Sequence, residues 1–337
     1  MRLRIILLQL LVPCIEAGRL QDLRGDPCDR AAIPWSPFTT HARLDSSALS
    51  RVISRTQGSH YLRTRESIVL HNGEEDVILT QVKNDVALVI KGDGIGSKVQ
   101  HECVVSTTHV YLPKSSHHLV VDAQASNVFV DSVQSTFGTL ELLLNAGDVQ
   151  IAGSVLQIDH FSADLKAGSI RIGGGLAAKF QRISSHAGQV TGHLIQGLET
   201  MLRANAGSIH VILDEPTDQA QVRNPRVIDV STEAGGIALD SRLLEPARIR
   251  ASAKYGAVTV SVLPGFDAKV HLEARMGHVK IPKSLTVTED KRTWTSRAVD
   301  GFLGRSEQAA AGTTIRASSE AGSVILIVPE DGTKGGL

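Results

Sequence analysis

One phrase keeps returning along this chain: a small residue and a glycine, followed by aliphatic side chains at alternate positions. It reads NAGDVQI, KAGSIRI, HAGQVTG, NAGSIHV, EAGGIAL, KYGAVTV, RMGHVKI and EAGSVIL, with its glycine at Gly147, Gly168, Gly188, Gly207, Gly235, Gly256, Gly277 and Gly322. Successive glycines lie 21, 20, 19, 28, 21, 21 and 45 residues apart. A period held this long is the mark of stacked repeats, in which one unit cannot bury its own apolar face and needs a neighbour on each side. The longer gaps read as one period plus the polar insertion DEPTDQAQVRNP at 214–225, and as two periods with TEDKRTWTSRAVDGFLGR projecting as a loop. In QASNVFV, Asn127 stands in for the glycine one period upstream of Gly147, since asparagine tolerates a left-handed backbone.

Around each glycine the pattern is strand, corner, strand, as in VIDVSTEAGGIAL and RIRASAKYGAVTV. Apolar residues alternate on both sides of the break with the two-residue period of strands, and the 3.6-residue period of a helix is absent. At about 3.3 Å per residue, two short strands and their turns use up one period in a single circuit. The expectation is therefore an all-β chain, a single-domain β-solenoid with coils of about 20 residues, each strand pairing with its equivalent one coil away. Glycine recurs at the corner either because φ is positive there or because another backbone comes too close for a Cβ. The preceding alanine, present in six of eight copies, is expected to pack in the same bend. Only 12 residues are aromatic, so Val, Ile, Leu and Ala must fill the core, which suits thin, regular layers.

Four segments follow. Residues 1–18, MRLRIILLQLLVPCIEAG, have the basic start, apolar middle and small-residue end of an export signal, and the apolar run is too short to span a bilayer. Residues 19–60 form an irregular leader or cap, rich in proline and carrying Trp35, with a short helix expected between Ser46 and Gly58. Residues 61–330 are the repeat domain, opening with a hairpin at Asn72-Gly73. Residues 331–337 are a flexible tail. The leader and the last copy, SVILIVPEDG, are the expected caps, because a stack of strands must protect its ends. The protein is expected to be secreted or at the cell surface. A mitochondrial location is the alternative, opposed by the acidic residues Glu16, Asp22, Asp26 and Asp29. Once the signal is removed, Cys28 and Cys103 remain, either as a disulfide or as two free thiols.

The succession of glycine and alternating aliphatics, and the block VSVLPGFDAKVHLEARMGHVKIP in which a proline-led strand meets the next corner, resemble the auto-transporter adhesin or adhesin-like domain family. The resemblance spans roughly residues 75–330. It implies a stacked β-coil and surface attachment, and it transfers no catalytic residue.

Chemistry is sparse. With 35 basic and 35 acidic residues, no net field recommends nucleic acid as a partner. KGDGIGSK at 91–98 has spaced glycines without the Gly-Lys-Ser/Thr of a phosphate cradle and reads as a turn between strands. His101, Cys103, His109, His117 and His118 cluster in sequence, but strand alternation scatters them over different faces, so no metal site is expected. No nucleophile elbow or zinc-protease motif occurs, nor any calcium nonapeptide, and no cofactor is expected. The function expected is a non-enzymatic scaffold or binding module whose partner is a protein or carbohydrate surface. It would be contacted through Trp294 and Phe302 on the loop 286–312, or through the insertion 214–225. The alternatives are a carbohydrate-active β-helix enzyme, which would need two carboxylates within about 5–10 Å in a groove, and an intracellular or mitochondrial protein of the same fold.

Overall fold

The structure is a computed structural model. It describes residues 119–329 in detail, apart from 124–125, 131–137, 153–157, 216–225, 244–246 and positions 309 and 311; upstream strands are described as backbone alone. The chain is nearly all strand, hydrogen-bonded into one large sheet. In order these are β1 (Arg4–Leu8), β2 (Ser36–Phe38), β3 (Ser50–Ser54), β4 (Leu62–Asn72), β5 (Val77–Ile90), β6 (Lys98–Leu112), β7 (Ser115–Val130), β8 (Thr136–Ala146), β9 (Val149–Ile151), β10 (Leu156–Ala167), β11 (Ile170–Ala187) and β12 (Val190–Ile195). There follow β13 (Glu199–Ala206), β14 (Ile209–Asp214), β15 (Arg226–Ala234), β16 (Ile237–Ser241), β17 (Ala247–Tyr255), β18 (Val258–Val262), β19 (Ala268–Met276), β20 (Val279–Lys280), β21 (Thr286–Arg292), β22 (Arg297–Leu303), β23 (Thr314–Ala321) and β24 (Val324–Ile327).

Two parallel ladders run side by side. The strands that precede each corner pair in the order β7, β8, β10, β11, β13, β15, β17, β23 and β19. Those that follow it pair as β7, β9, β11, β12, β14, β16, β18, β24 and β20. The long strands β7 and β11 contribute to both. Inward residues alternate with outward ones, so that Ile228, Val230, Ile237 and Leu239, for example, are buried in one continuous apolar cluster with their counterparts above and below. Each such side chain removed from water is worth about 1.5–3 kcal/mol.

The corners form a third, narrower ladder. The amides of the corner glycines, apart from Gly277 in the last layer, donate to the carbonyl of the residue before the next layer's glycine, as Gly168 does to Ala187 and Gly188 to Ala206. That stacking brings backbone onto backbone: a Cβ at Gly207 would run into the carbonyl oxygen of Gly188, and φ at Gly207 is +151°. Both reasons for glycine therefore hold at once, except at Gly277, where close approach to Gly322 acts alone. The residue after the glycine often returns a side-chain acceptor to the next layer. Asn127 Oδ1 accepts from the Asp148 amide at 2.9 Å, and Asp148 Oδ1 accepts from Ser169 at 2.7 Å. Buried hydroxyls three residues before a glycine serve its neighbour's carbonyl: Ser185 donates to Gly168, Thr232 to Gly207 and Ser319 to Gly256.

Several expectations need correction. The register aligns Ala125 with Ala146 and Val128 with Val149, so Ser126 occupies the glycine position and Asn127 sits one place later, as the acceptor just described. The alanines before the glycines do not pack in the bend; Ala167, Ala187, Ala206 and Ala234 face solvent. The last copy is no cap. β23 and β24 lie between β17–β18 and β19–β20, so Gly256 donates to Ala321 and Gly322 to Met276. The outer end is closed instead by the stretch taken for a loop: β22 pairs antiparallel with β19, β21 pairs antiparallel with β22, and a 3-10 turn at Ala309–Gly312 leads into β23. The outermost strand, β21, is exposed throughout and reads TVTEDKR, a charged edge that discourages further pairing.

Upstream, β3 and β4 pair parallel with the two halves of β7, so Ser50–Ser54 is strand where a short helix was expected. β4 pairs with β6 rather than forming a hairpin at Asn72-Gly73. The antiparallel pairs upstream are β5 with β6, which flank residues 91–97, and β2 with β5. Residues 1–18, expected to be an export signal, apart from the backbone of β1, most of the leader with Cys28 and Trp35, the side chain of Cys103, the insertion 216–225 and the tail from 330 lie outside the described residues.

Candidate functional site

Chemistry-bearing side chains concentrate where the order of layers is unusual, on the outer face of β17, β23 and β19 and on the β21–β22 hairpin beside them. Alternation fixes which residues face out. Arg248, Arg250, Arg316, Lys269 and His271 occupy outward positions, with Arg250 directly opposite Arg316 and Arg316 directly opposite His271 on adjacent strands. The same register carries the second row across Thr314 and Lys269 to Phe302 on β22.

A shallow groove of about 280 Å³ opens here, lined among others by Lys269, His271, Thr288, Asp300, Phe302 and Arg316. Its carboxylates are engaged. Asp300 Oδ1 lies 2.7 Å from Nδ1 of His271, and Glu307 Oε1 lies 3.2 Å from Nζ of Lys269. Phe302, one of the two expected contact residues, is thus part of a groove wall.

Trp294 is placed elsewhere, at the tip of the hairpin, and is fully exposed. The tip is a tight turn in which the amide of Thr293 donates to Ser296 O at 2.8 Å and the two hydroxyls lie 2.7 Å apart. Below it, Asp290 accepts from Arg297 at 3.0 Å and from Arg292 at 2.9 Å. The Arg297 guanidinium, and after it that of Arg292, hold the Asp290 carboxyl far below the usual aspartate range. Arg297 also donates to Val279 O at 2.8 Å, tying the hairpin across the end of β20. Tyr255 and Met276 replace alanine at the corner and are more than half exposed. They share one column with only Ala321 between them, about 10 Å apart at the usual strand spacing. The hairpin tip precedes Arg297, which pairs with Ala274, so the turn that carries Trp294 lies beyond the Met276 end of β19.

The corner glycines Gly147, Gly168, Gly188, Gly207, Gly235, Gly256, Gly277 and Gly322 stack backbone on backbone from layer to layer. Sequence reasoning missed Arg248, Arg250 and Arg316, because single arginines on alternating strands look like ordinary solvent-facing residues until the pairing is known. Among the described residues, no group of three or more His, Cys, Asp or Glu is placed to hold a metal ion, and no helix is long and apolar enough to cross a membrane.

No family model and no curated protein matches the chain. Among solved structures, that of a candidate cell adhesion protein from Clostridium sporogenes aligns over 87% of this chain and 100% of its own, with 8% identity and a TM-score of 0.21. A likeness that distant carries no weight for role or shape.

Proposed function

We propose that this chain is a β-solenoid with no catalytic activity of its own, a stiff scaffold of the adhesin-like kind that presents a binding edge at one end and works at the cell surface or outside it. The register supports such winding: corner stacked on corner, with a strand of each ladder per layer, is what successive coils of one helix of chain would produce. The observation that carries the binding role is Trp294. An indole held in water on a braced hairpin is what recognition surfaces use, since large rigid side chains give contact area at little entropic cost. Such a side chain gains nothing for the fold where it stands.

Turnover is disfavoured by the groove itself. Cleavage of a glycosidic bond needs two carboxyl groups facing one another across the scissile bond, whereas Asp300 is engaged by the ring of His271 and Glu307 by Lys269. The test is attachment of purified fluorescent protein to cultured cells, compared with Trp294→Ala. The variant is expected to fold with an unchanged melting temperature and to lose at least tenfold in attachment. Equal attachment by both would remove the edge from the account.

A further inference from the structure

Arg250 and Arg316 present a physical anomaly. Like charges directly opposite one another on neighbouring strands weaken a sheet, and these strands are held about 4.8 Å apart. Arg248 stands two residues along from Arg250 on the same face of β17. None of the three arginines makes an ion pair among the described residues, whereas Lys269 and His271 beside them do. A parallel ladder this regular has ample room for an uncharged residue at any of these positions. Asp229 on β15 stands opposite Arg250 and offsets part of that repulsion, whereas Arg316 has Arg250 on one side and His271 on the other, so an anion lying across Arg250 and Arg316 would relieve what remains.

We propose that the outer face of β17, β23 and β19, with the groove beside β22, binds an acidic saccharide, one whose ring carries a carboxylate or a sulfate. Planar guanidinium groups on a rigid sheet match the oxygens of either anion in paired hydrogen bonds. What surrounds them selects a sugar. Asp300, Glu307 and Thr288 line or border the groove with acceptors suited to hydroxyl donors, and Phe302 supplies an apolar wall for a ring face. The same carboxylates, together with Asp229 opposite Arg250 on the far side, repel an extended phosphate backbone. The neutral overall charge of the chain also departs from the strongly basic footprint of nucleic-acid binders. The ligand is thus a compact anionic group within a hydroxyl-rich frame.

This inference rests on the reading of the chain as a binding scaffold and names the chemistry one of its faces takes. The test is calorimetric titration of the whole protein with three hexasaccharides, one built of uronate units, one sulfated and one neutral, and with single-stranded DNA of similar charge. At least one acidic hexasaccharide is expected to bind, with affinity that falls as salt rises, and the neutral one is not. The double variant Arg250→Gln, Arg316→Gln is expected to lose at least tenfold in affinity while its melting temperature stays level, because the repulsion removed between the two arginines is set against the lost attraction of Arg250 to Asp229. Phe302→Ala is expected to weaken the same ligand. Which acidic hexasaccharide binds decides between carboxylate and sulfate. Absence of binding by both, equal binding of the neutral one, tighter binding of DNA, or full affinity in the double variant would each overturn the proposal. Trp294→Ala separates it from the edge described above: saccharide binding that persists in a variant unable to attach to cells leaves the groove standing, and attachment without saccharide binding leaves the edge.

Discussion

At a corner glycine two requirements meet, a backbone angle that side chains avoid and a carbonyl oxygen sitting where a Cβ would go. They can be separated by mutation. Gly207→Ala meets both, and it is expected to lose roughly 2–4 kcal/mol, from overpacking together with backbone strain. Gly265 in the turn before β19 has φ of +81° and open space around it, so Gly265→Ala is expected to lose only about 1–2 kcal/mol. Urea midpoints of the two variants measured together would check this, and similar losses would show that crowding at the corner has no weight. The glycine column was legible in the sequence because the need for a missing side chain is local and repeats in every layer. The slip at Asn127 has a physical cause as well. Asparagine is a familiar substitute in left-handed turns, but here its value lies in the oxygen it offers to the Asp148 amide. Nothing at the level of residue type distinguishes those two uses. The position belongs to Ser126 only once the pairing of Val128 with Val149 is known.

Among the elements, the β21–β22 hairpin departs most from expectation. Its sequence, TVTEDKRTWTSRAVDGFL, has charges where strands usually carry branched aliphatics, and it therefore reads as loop. It holds because its pairing partner β19 is already rigid, and because Asp290 gathers Arg292 and Arg297 on one side of the ribbon. Since those guanidinium groups depress the aspartate, their stabilising effect is fully present above its ordinary value of 3.8 and is lost only as acid carries the pH below that and protonates the carboxylate. Hydrogen exchange at the hairpin amides is accordingly expected to be flat in protection factor from pH 7 to about 4 and to fall at lower pH. In Asp290→Asn the protection is expected to be low at every pH. A wild-type hairpin that loosens between pH 7 and 5 would assign its order to some other group.

For the molecule as a whole, the period and the all-β character followed from the sequence, but the order of the layers did not. A gap of 45 residues before Gly322 looks like two ordinary steps outward. The chain instead takes one step too far with β19 and returns to fill the vacancy with β23 and β24. Every layer has the same corner and the same alternation, so the apolar pattern gives β23 equal claim to several neighbours, and the choice is made by the hairpin that occupies the far side of β19. A chain ended at residue 312 tests this arrangement. Hydrogen exchange is expected to show lost protection in β17, β18 and β19 together, in the body of the stack; protection lost only around β19 to β22 would restore a simple sequential order. One consequence reaches back to the moment of synthesis. β19 leaves the ribosome before the strands that join it to β17, so the facing edges of the two stand unpaired until β23 and β24 are made. The growing polypeptide must therefore hold that seam open while its last strands are still being synthesised, so its birth order and its finished order are at odds, and a chaperone that shields those edges would hasten maturation.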